Sequence, residues 1–321
     1  MTTLRIGTRG SQLALYQANT TAALLRERTG TATEIVVIKT SGDRLAEASL
    51  SEIGGKRLFV KEIEDALLAG SVDLAVHSSK DMPAVLPDGL EIAAVLPRED
   101  PRDAIVLPAG ALPGPATQAA VLARLGTSPR IGTSSVRRIA QLTRLFPGAR
   151  YLPIRGNLDT RLRKLDSGDF DAIVLAAAGL RRLGFEARIS EAIGTADCVP
   201  SPGQGIIAIE IRSDDAQTRA LLATLDDMPA TQALAAEREV VRALGGGCQM
   251  PIGAFATVNG DTMTLDAIVT SLDGTRVVRG TASGAATDGL GLGTAVASEL
   301  LRQGAAAILA EAAQTPQAGP R

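Results

Sequence analysis

Aromatic side chains are scarce in this 321-residue chain: 2% overall, with no Trp, two Tyr (Tyr16 and Tyr151) and five Phe. Base stacking needs aromatic faces, so a single-strand nucleic-acid platform is not expected. Metal-binding chemistry is scarce too. His77 is the single histidine, and Cys198 and Cys248 stand far apart in the sequence. No Cys/His cluster has zinc spacing, so no metal site is expected. A lone histidine makes no triad, and His77 reads as structural. Two isolated thiols fit a reducing compartment. Residues 1–17 lack the apolar stretch of an export signal, and no apolar run reaches the ~18 residues of a membrane span. An excess of one charge is also missing. Lys plus Arg number 33 against 35 Asp plus Glu, a formal net charge of −2, which excludes a globally basic nucleic-acid binder. The expectation is a cytoplasmic protein engaging neither membrane nor nucleic acid.

What remains is a globular composition, 45% apolar and 21% charged. The length predicts two or three domains, with cores of Ala, Val, Ile and Leu. Short β-branched runs alternate with helical patterns. Strands are predicted at 4–7, 34–38, 72–76 and 91–95, with helices over 11–29 and 59–69. A Pro/Gly/Ala-rich stretch at 108–115 precedes a second cycle: strands at 130–132, 151–154, 171–175 and 205–211, helices at 134–145 and 157–165. Such alternation argues for α/β lobes with largely parallel sheets. From about residue 229 the grammar changes. A helix over 231–244 leads to Gly245-Gly246-Gly247, then to strands at 252–258, 263–270 and 276–279. The turns Asn259-Gly260-Asp261 and Asp273-Gly274 are hairpin signals, and one closing helix is expected over 294–309. The predicted architecture is two periplasmic-binding-protein-like α/β lobes joined by a double crossover, plus a C-terminal α+β domain with an antiparallel sheet. The expected boundaries are 1–102 with 203–225 for lobe 1, 103–202 for lobe 2 and 226–321 for the C-terminal domain.

Open α/β sheets bind ligands at the carboxyl ends of their strands. Those ends here read Thr8-Arg9-Gly10-Ser11, His77-Ser78-Ser79-Lys80-Asp81, Gly132-Thr133-Ser134-Ser135-Val136-Arg137-Arg138 and Arg155-Gly156-Asn157. Ser and Thr at helix starts, with unpaired backbone N–H groups beside them, suit anions. From Arg130 to Lys164 nine cations stand against one acid, Asp159. Most of them, such as Arg130, Arg144, Arg150, Arg163 and Lys164, read as a solvated face. Arg137, Arg138 and Arg155 follow strand ends and suit bidentate carboxylate recognition. Asp81 is a lone acid facing this cationic cleft, suited to holding a substrate N–H and stabilising positive charge. Cys248, after three glycines, reads as a thiol presented on an adjustable loop, whereas Cys198 reads as a small buried residue. Gly54-Gly55-Lys56 lacks P-loop spacing, and residues 289–293 lack the dinucleotide fingerprint, so NAD- and ATP-dependent chemistry has no support.

These segments, in order over nearly the whole chain, resemble hydroxymethylbilane synthase, the porphobilinogen deaminase family. Ile6-Gly7-Thr8-Arg9-Gly10-Ser11, Gly54-Gly55-Lys56, Leu58-Phe59-Val60-Lys61-Glu62 and Ala75-Val76-His77-Ser78-Ser79-Lys80-Asp81-Met82-Pro83 carry the first half. Arg98-Glu99-Asp100-Pro101-Arg102-Asp103-Ala104, residues 132–138, Arg155-Gly156-Asn157, Pro202-Gly203-Gln204-Gly205 and Gly246-Gly247-Cys248-Gln249 carry the rest. One departure is Arg57, where the family commonly has glycine.

The resemblance implies three domains and a dipyrromethane primer joined by a thioether to Cys248. Porphobilinogen would lose ammonia to give an azafulvene, which the free pyrrole α-carbon attacks. Four cycles would yield linear hydroxymethylbilane for tetrapyrrole synthesis. The resemblance makes Asp81 the catalytic carboxylate. It gives the primer Lys80, Asp81, Thr133, Ser134, Ser135, Arg137, Arg138, Arg155 and Gly156. It gives the substrate Arg9, Ser11, Lys56, Phe59, Arg155, Arg161 and Gln204. It also implies a monomer, with hinges near 101–105 and 200–205. The alternative weighed is an anion-binding solute receptor, which would not explain a glycine-flanked cysteine in a third domain.

Overall fold

The computed structural model describes residues 3–41, 60–111, 116–247 and 250–314. The expectations for Lys56, Arg57, Phe59 and Cys248 fall outside these residues. The chain opens with β1 (Leu4–Thr8), α1 (Gln12–Thr29), β2 (Thr33–Val37), α2 (Lys61–Leu68), β3 (Leu74–Ser78) and β4 (Leu90–Val95). A second region follows, with β5 (Asp103–Val106), α3 (Gln118–Leu125), β6 (Arg130–Gly132), α4 (Val136–Leu145) and β7 (Arg150–Leu152). It continues through α5 (Leu158–Asp166), β8 (Ala172–Ala176), α6 (Ala177–Arg182) and β9 (Glu191–Ala192). Next come β10 (Ile207–Arg212), α7 (Ala216–Leu222) and α8 (Met228–Ala243). The chain ends with β11 (Ile252–Asn259), β12 (Thr262–Thr270), β13 (Val277–Ala285), α9 (Gly289–Arg302) and α10 (Ala305–Gln314).

Two five-stranded sheets result, ordered β2-β1-β3-β10-β4 and β7-β6-β8-β5-β9, with a three-stranded β11-β12-β13 sheet apart from them. In each large sheet four strands run in the same direction, and the fifth, β10 or β5, pairs antiparallel with both neighbours. The cause is positional. β5 and β10 are the strands that arrive from the other sheet, so each enters where a parallel strand ends. Ile207 pairs with Ser78 and Asp103 with Ala176. Both crossovers therefore lie at the edge where β3 and β8 finish, which is where an open α/β sheet places its ligand.

Local chemistry sets the elements. Ser11 Oγ accepts the Ala14 N–H to cap α1, and Gly30 closes that helix at φ 69°. Ile6, Leu74, Val76, Ile207 and Ile209 pack from one face of the first sheet against Ala18, Ala22 and Leu25 of α1. Each such aliphatic side chain contributes about 1.5–3 kcal/mol on burial. In the C-terminal domain Gly260, at φ 58°, turns β11 into β12. The closing helix differs from expectation. It starts earlier, at Gly289, and breaks into two at Gly304, whose φ of 98° no helix can carry. Gly293 is there because α9 lies tight on α8. A Cβ at 293 would stand 2.6 Å from Glu239 Cβ and 2.7 Å from the Ala236 carbonyl.

One carboxylate joins the three regions. Glu237 on α8, fully buried, accepts from Arg98 on the first crossover at 2.5 and 3.2 Å. It also accepts the Gly203 N–H of the second crossover at 2.7 Å and the Ala256 N–H of β11 at 2.8 Å. A buried charge is tolerated when its lone pairs are met in this way.

Candidate active site

β3 runs buried as far as His77, whose Nε2 lies 3.1 Å from Glu210 Oε2 on β10. The chain then makes one 3₁₀ turn, Ser79–Asp81, and Met82 leaves it extended ahead of Pro83. The turn therefore stops with Lys80 and Asp81 at the sheet edge, and Asp81 is exposed. Two pockets adjoin this turn. One is lined by Asp81 with Arg9, Ser11, Gln17 and His77. The other is lined by Ser79 and Lys80 with Ser135, Arg137 and Arg238, and by Gly247 and Met250 on either side of residues 248–249.

The Lys80 ammonium donates to Gln204 Oε1 at 3.2 Å. Burial, and Arg138 beside it, push this lysine down to about 8, against the opposing pull of Asp81 and Asp103. Gln204 is buried on the second crossover and donates to the Pro101 carbonyl at 2.6 Å and to Asp103 at 3.0 Å. The flanking glycines are required by space. A Cβ on Gly203 would stand 2.5 Å from Ser79 Oγ, and one on Gly205 2.2 Å from the Glu99 carbonyl, both at positive φ. Ser79 Oγ is buried with no hydrogen-bond partner among the described residues.

The facing edge belongs to the second sheet. Thr133 Oγ1 accepts the Ser135 N–H at 3.2 Å, and Ser134 Oγ bonds the backbone of Ile154, so both hydroxyls shape the turn after β6. Ser135 Oγ caps α4 by accepting the Arg138 N–H. Arg137 and Arg138 do not reach out as free cations. Both are buried and both are bound to Asp103, although Arg137 also borders the second pocket. Arg155 is half-buried and has no carboxylate partner among the described residues. Arg161 Nε donates to the Gly156 carbonyl at 2.8 Å, with Gly156 at φ 108°. Burial, then Arg138 and Arg155, push Arg161 down to about 10, while Asp81 works the other way.

Sequence reasoning missed several residues here. Asp103 falls inside a motif that was read only for its resemblance. Arg238 lies on α8 and donates to the Ala84 carbonyl at 3.0 Å. Arg182 on α6 donates to the Gly205 carbonyl at 2.6 Å. Gln17 donates to Ser78 Oγ at 2.8 Å beside Asp81. Arg238 and Gln17 sit mid-helix, where no strand-end rule points. Cys198 is buried as expected, but its Sγ meets Asp103 at 3.4 Å. No group of His, Cys, Asp and Glu among the described residues could hold a metal ion. The second pocket, with three cations and an orphaned hydroxyl in its lining, suits a ligand that bears carboxylates.

The chain matches two family models, "Porphobilinogen deaminase, dipyromethane cofactor binding domain" over residues 4–220 and "Porphobilinogen deaminase, C-terminal domain" over residues 231–302. A porphobilinogen deaminase from Syntrophobacter fumaroxidans is 48% identical over 309 residues, covering 96% of this chain and 97% of its own. One from a Roseiflexus species is 49% identical over 309 residues, covering 96% and 99%. One from Bordetella parapertussis is 46% identical, covering 98% of each chain. Among solved structures, an ancestral cationic amino acid solute binding protein aligns at a TM-score of 0.42 and 14% identity, over 70% of this chain and 87% of that one.

Proposed function

Because the chain belongs to the porphobilinogen deaminase family, we propose that its paired pockets do that family's work with Asp81 as the catalytic carboxylate and Cys248 as the attachment point of the primer. The protein is a transferase of tetrapyrrole biosynthesis. It joins four porphobilinogen molecules head to tail into linear hydroxymethylbilane, releasing ammonia at each joining, with dipyrromethane as its cofactor. The dipyrromethane, when bound, supplies the pyrrole carbon from which the chain of rings grows.

In this reading Lys80, Asp81, Thr133, Ser134, Ser135, Arg137, Arg138, Arg155 and Gly156 hold the dipyrromethane on the side of Cys248. Arg9, Ser11, Lys56, Phe59, Arg155, Arg161 and Gln204 receive the incoming porphobilinogen. Each ring adds two carboxylates, so the growing product is a polyanion and an arginine-rich edge neutralises it. Asp81 accepts a pyrrole N–H and stabilises the positive charge that develops as ammonia departs. Residues 1–102 with 203–225, 103–202 and 226–321 act as three units, with both crossovers as hinges, in a cytoplasmic monomer.

The observation that carries the reading is the Ser79–Asp81 turn. Asp81 opens on one pocket and Lys80 on the next, whose rim includes Gly247 and Met250. The test is turnover of porphobilinogen by the purified protein. The expected result is ammonia and linear tetrapyrrole in a ratio of four to one. A folded, primer-loaded protein that leaves porphobilinogen unconsumed contradicts the reading.

A further inference from the structure

Asp103 is the first residue of β5, the strand through which the chain enters the second sheet. It is fully buried, and both of its oxygens are engaged. Oδ1 accepts from Arg138 Nε at 2.9 Å and from Gln204 Nε2 at 3.0 Å, and it lies 2.7 Å from Arg138 Nη2. Oδ2 lies 2.7 Å from Arg137 Nη2 and accepts from the Cys198 thiol at 3.4 Å. The other ends of the two arginines are fixed as well. Arg137 Nη1 donates to the Val199 carbonyl and Arg138 Nη1 to the Val174 carbonyl, both at 2.8 Å. Through Gln204 the network also reaches the Lys80 ammonium.

From this geometry we infer that Asp103 is a positioning residue for the reaction, the internal counterion that fixes Arg137 where it borders the primer-side pocket, holds Arg138 beside it, and sets how much positive charge that pocket offers. The inference rests on the function proposed above. Two adjacent guanidiniums repel each other, and with nothing between them one would swing away. The Asp103 carboxylate bridges them with one oxygen each, so both planes are held before any ligand arrives, and a preorganised donor costs nothing to orient at the moment of reaction. The charge count follows. Two arginines and Lys80 are offset by one carboxylate, so an attracting surplus remains without an unpaired cluster of three cations. Burial works against ionisation, but Arg137 and Arg138 hold this carboxyl well below the usual carboxylate range, so the bridge stays charged at every working pH. Burial and Asp103 push the Cys198 thiol up to about 12, so it stays a neutral donor to Oδ2.

The experiment compares wild type, Asp103→Asn, Arg138→Gln and the double variant, each checked by intact mass for primer and by thermal unfolding for fold. Wild-type loading and turnover report on the proposed function itself, and the variants report on Asp103. Loaded Asp103→Asn is expected to lose kcat about tenfold with little change in KM, because Arg137, which it misplaces, borders the pocket proposed for the primer and not the Asp81 pocket. The loss is expected to shrink in the Arg138→Gln background, since both changes act through one group. A loaded, folded Asp103→Asn within about twofold of wild type overturns the inference, as does full additivity with Arg138→Gln. Should Asp103→Asn not fold, a crystal structure of the loaded wild type decides. Asp103 within hydrogen-bond reach of both guanidiniums supports the inference, and separation beyond about 4 Å from both overturns it.

Discussion

The two five-stranded sheets share a plan, four strands in one direction and one antiparallel strand arriving from the other sheet, yet their facing edges are filled differently: among the described residues only the first carries an exposed acid beside its cations. Past β3 the first sheet offers a tight turn with an exposed acid, Asp81. Past β6 and β7 the second offers arginines, two held inside by Asp103 and one, Arg155, without a carboxylate partner among the described residues. The lesson is that topology chooses the edge and residue type chooses the task. A repeated sheet plan brings strand ends together from both sides, and a few residues beyond those ends decide which charges each side presents.

Removing the acid should break the contrast most severely. Asp81→Ala is expected to keep fold and primer, because Asp81 is exposed, and to lose about 100–1,000-fold in kcat, the scale of one preorganised electrostatic group. Near-normal bilane formation by the loaded variant would remove Asp81 from the mechanism. The next largest effect is on the crossover that joins the sheets. Gly205→Ala forces a Cβ to 2.2 Å from the Glu99 carbonyl at φ 90°, and should cost about 2 kcal/mol or more, read as a lower Tm. An unshifted Tm would mean that the crossover gives way without cost.

On the arginine side, Arg155→Ala should leave stability unchanged and slow elongation about tenfold or more, the worth of a charge-assisted hydrogen bond. Native mass spectra should then show enzyme carrying partly grown chains, and clean turnover without such species would return Arg155 to the solvated surface. The smallest expected effect is a pH limb from Lys80. Its folded-state value of about 8 lies below the 10.5 of a free lysine. Between those values the folded chain binds fewer protons than the unfolded one, so this group makes stability rise with pH there. The ammonium available to a ligand carboxylate disappears over the same span, so turnover should decline above pH ~8. Lys80→Arg keeps its charge and should remove that limb. A limb that persists in the variant belongs to another group.

The sheet edges were legible because β-branched runs end in Gly, Ser, Thr and charged residues, and the strand-end rule then picks Asp81 and Arg155 without coordinates. Asp103 was not legible. Its meaning comes from Arg137 and Arg138, more than thirty residues later, and from Cys198 and Gln204, about a hundred residues later. The strand it begins, Asp103–Val106, is too short for a period to show, as is Glu191–Ala192. His77 looked partnerless because Glu210 reaches it only across antiparallel β10. The start of α9 was hidden by its glycines, which weaken a helix in isolation but here let it press against α8. In each case the missing information was a contact between segments distant in sequence.

The central claim is that a cationic pocket beside Asp81 receives a dipyrromethane tethered to residue 248. Intact mass of the protein purified from a host that makes porphobilinogen tests it most directly, read beside Cys248→Ser. The account predicts a wild-type mass above that of the sequence by one dipyrromethane and a variant at the bare sequence mass. A wild type at the bare mass, or a variant that keeps the addition, would contradict it.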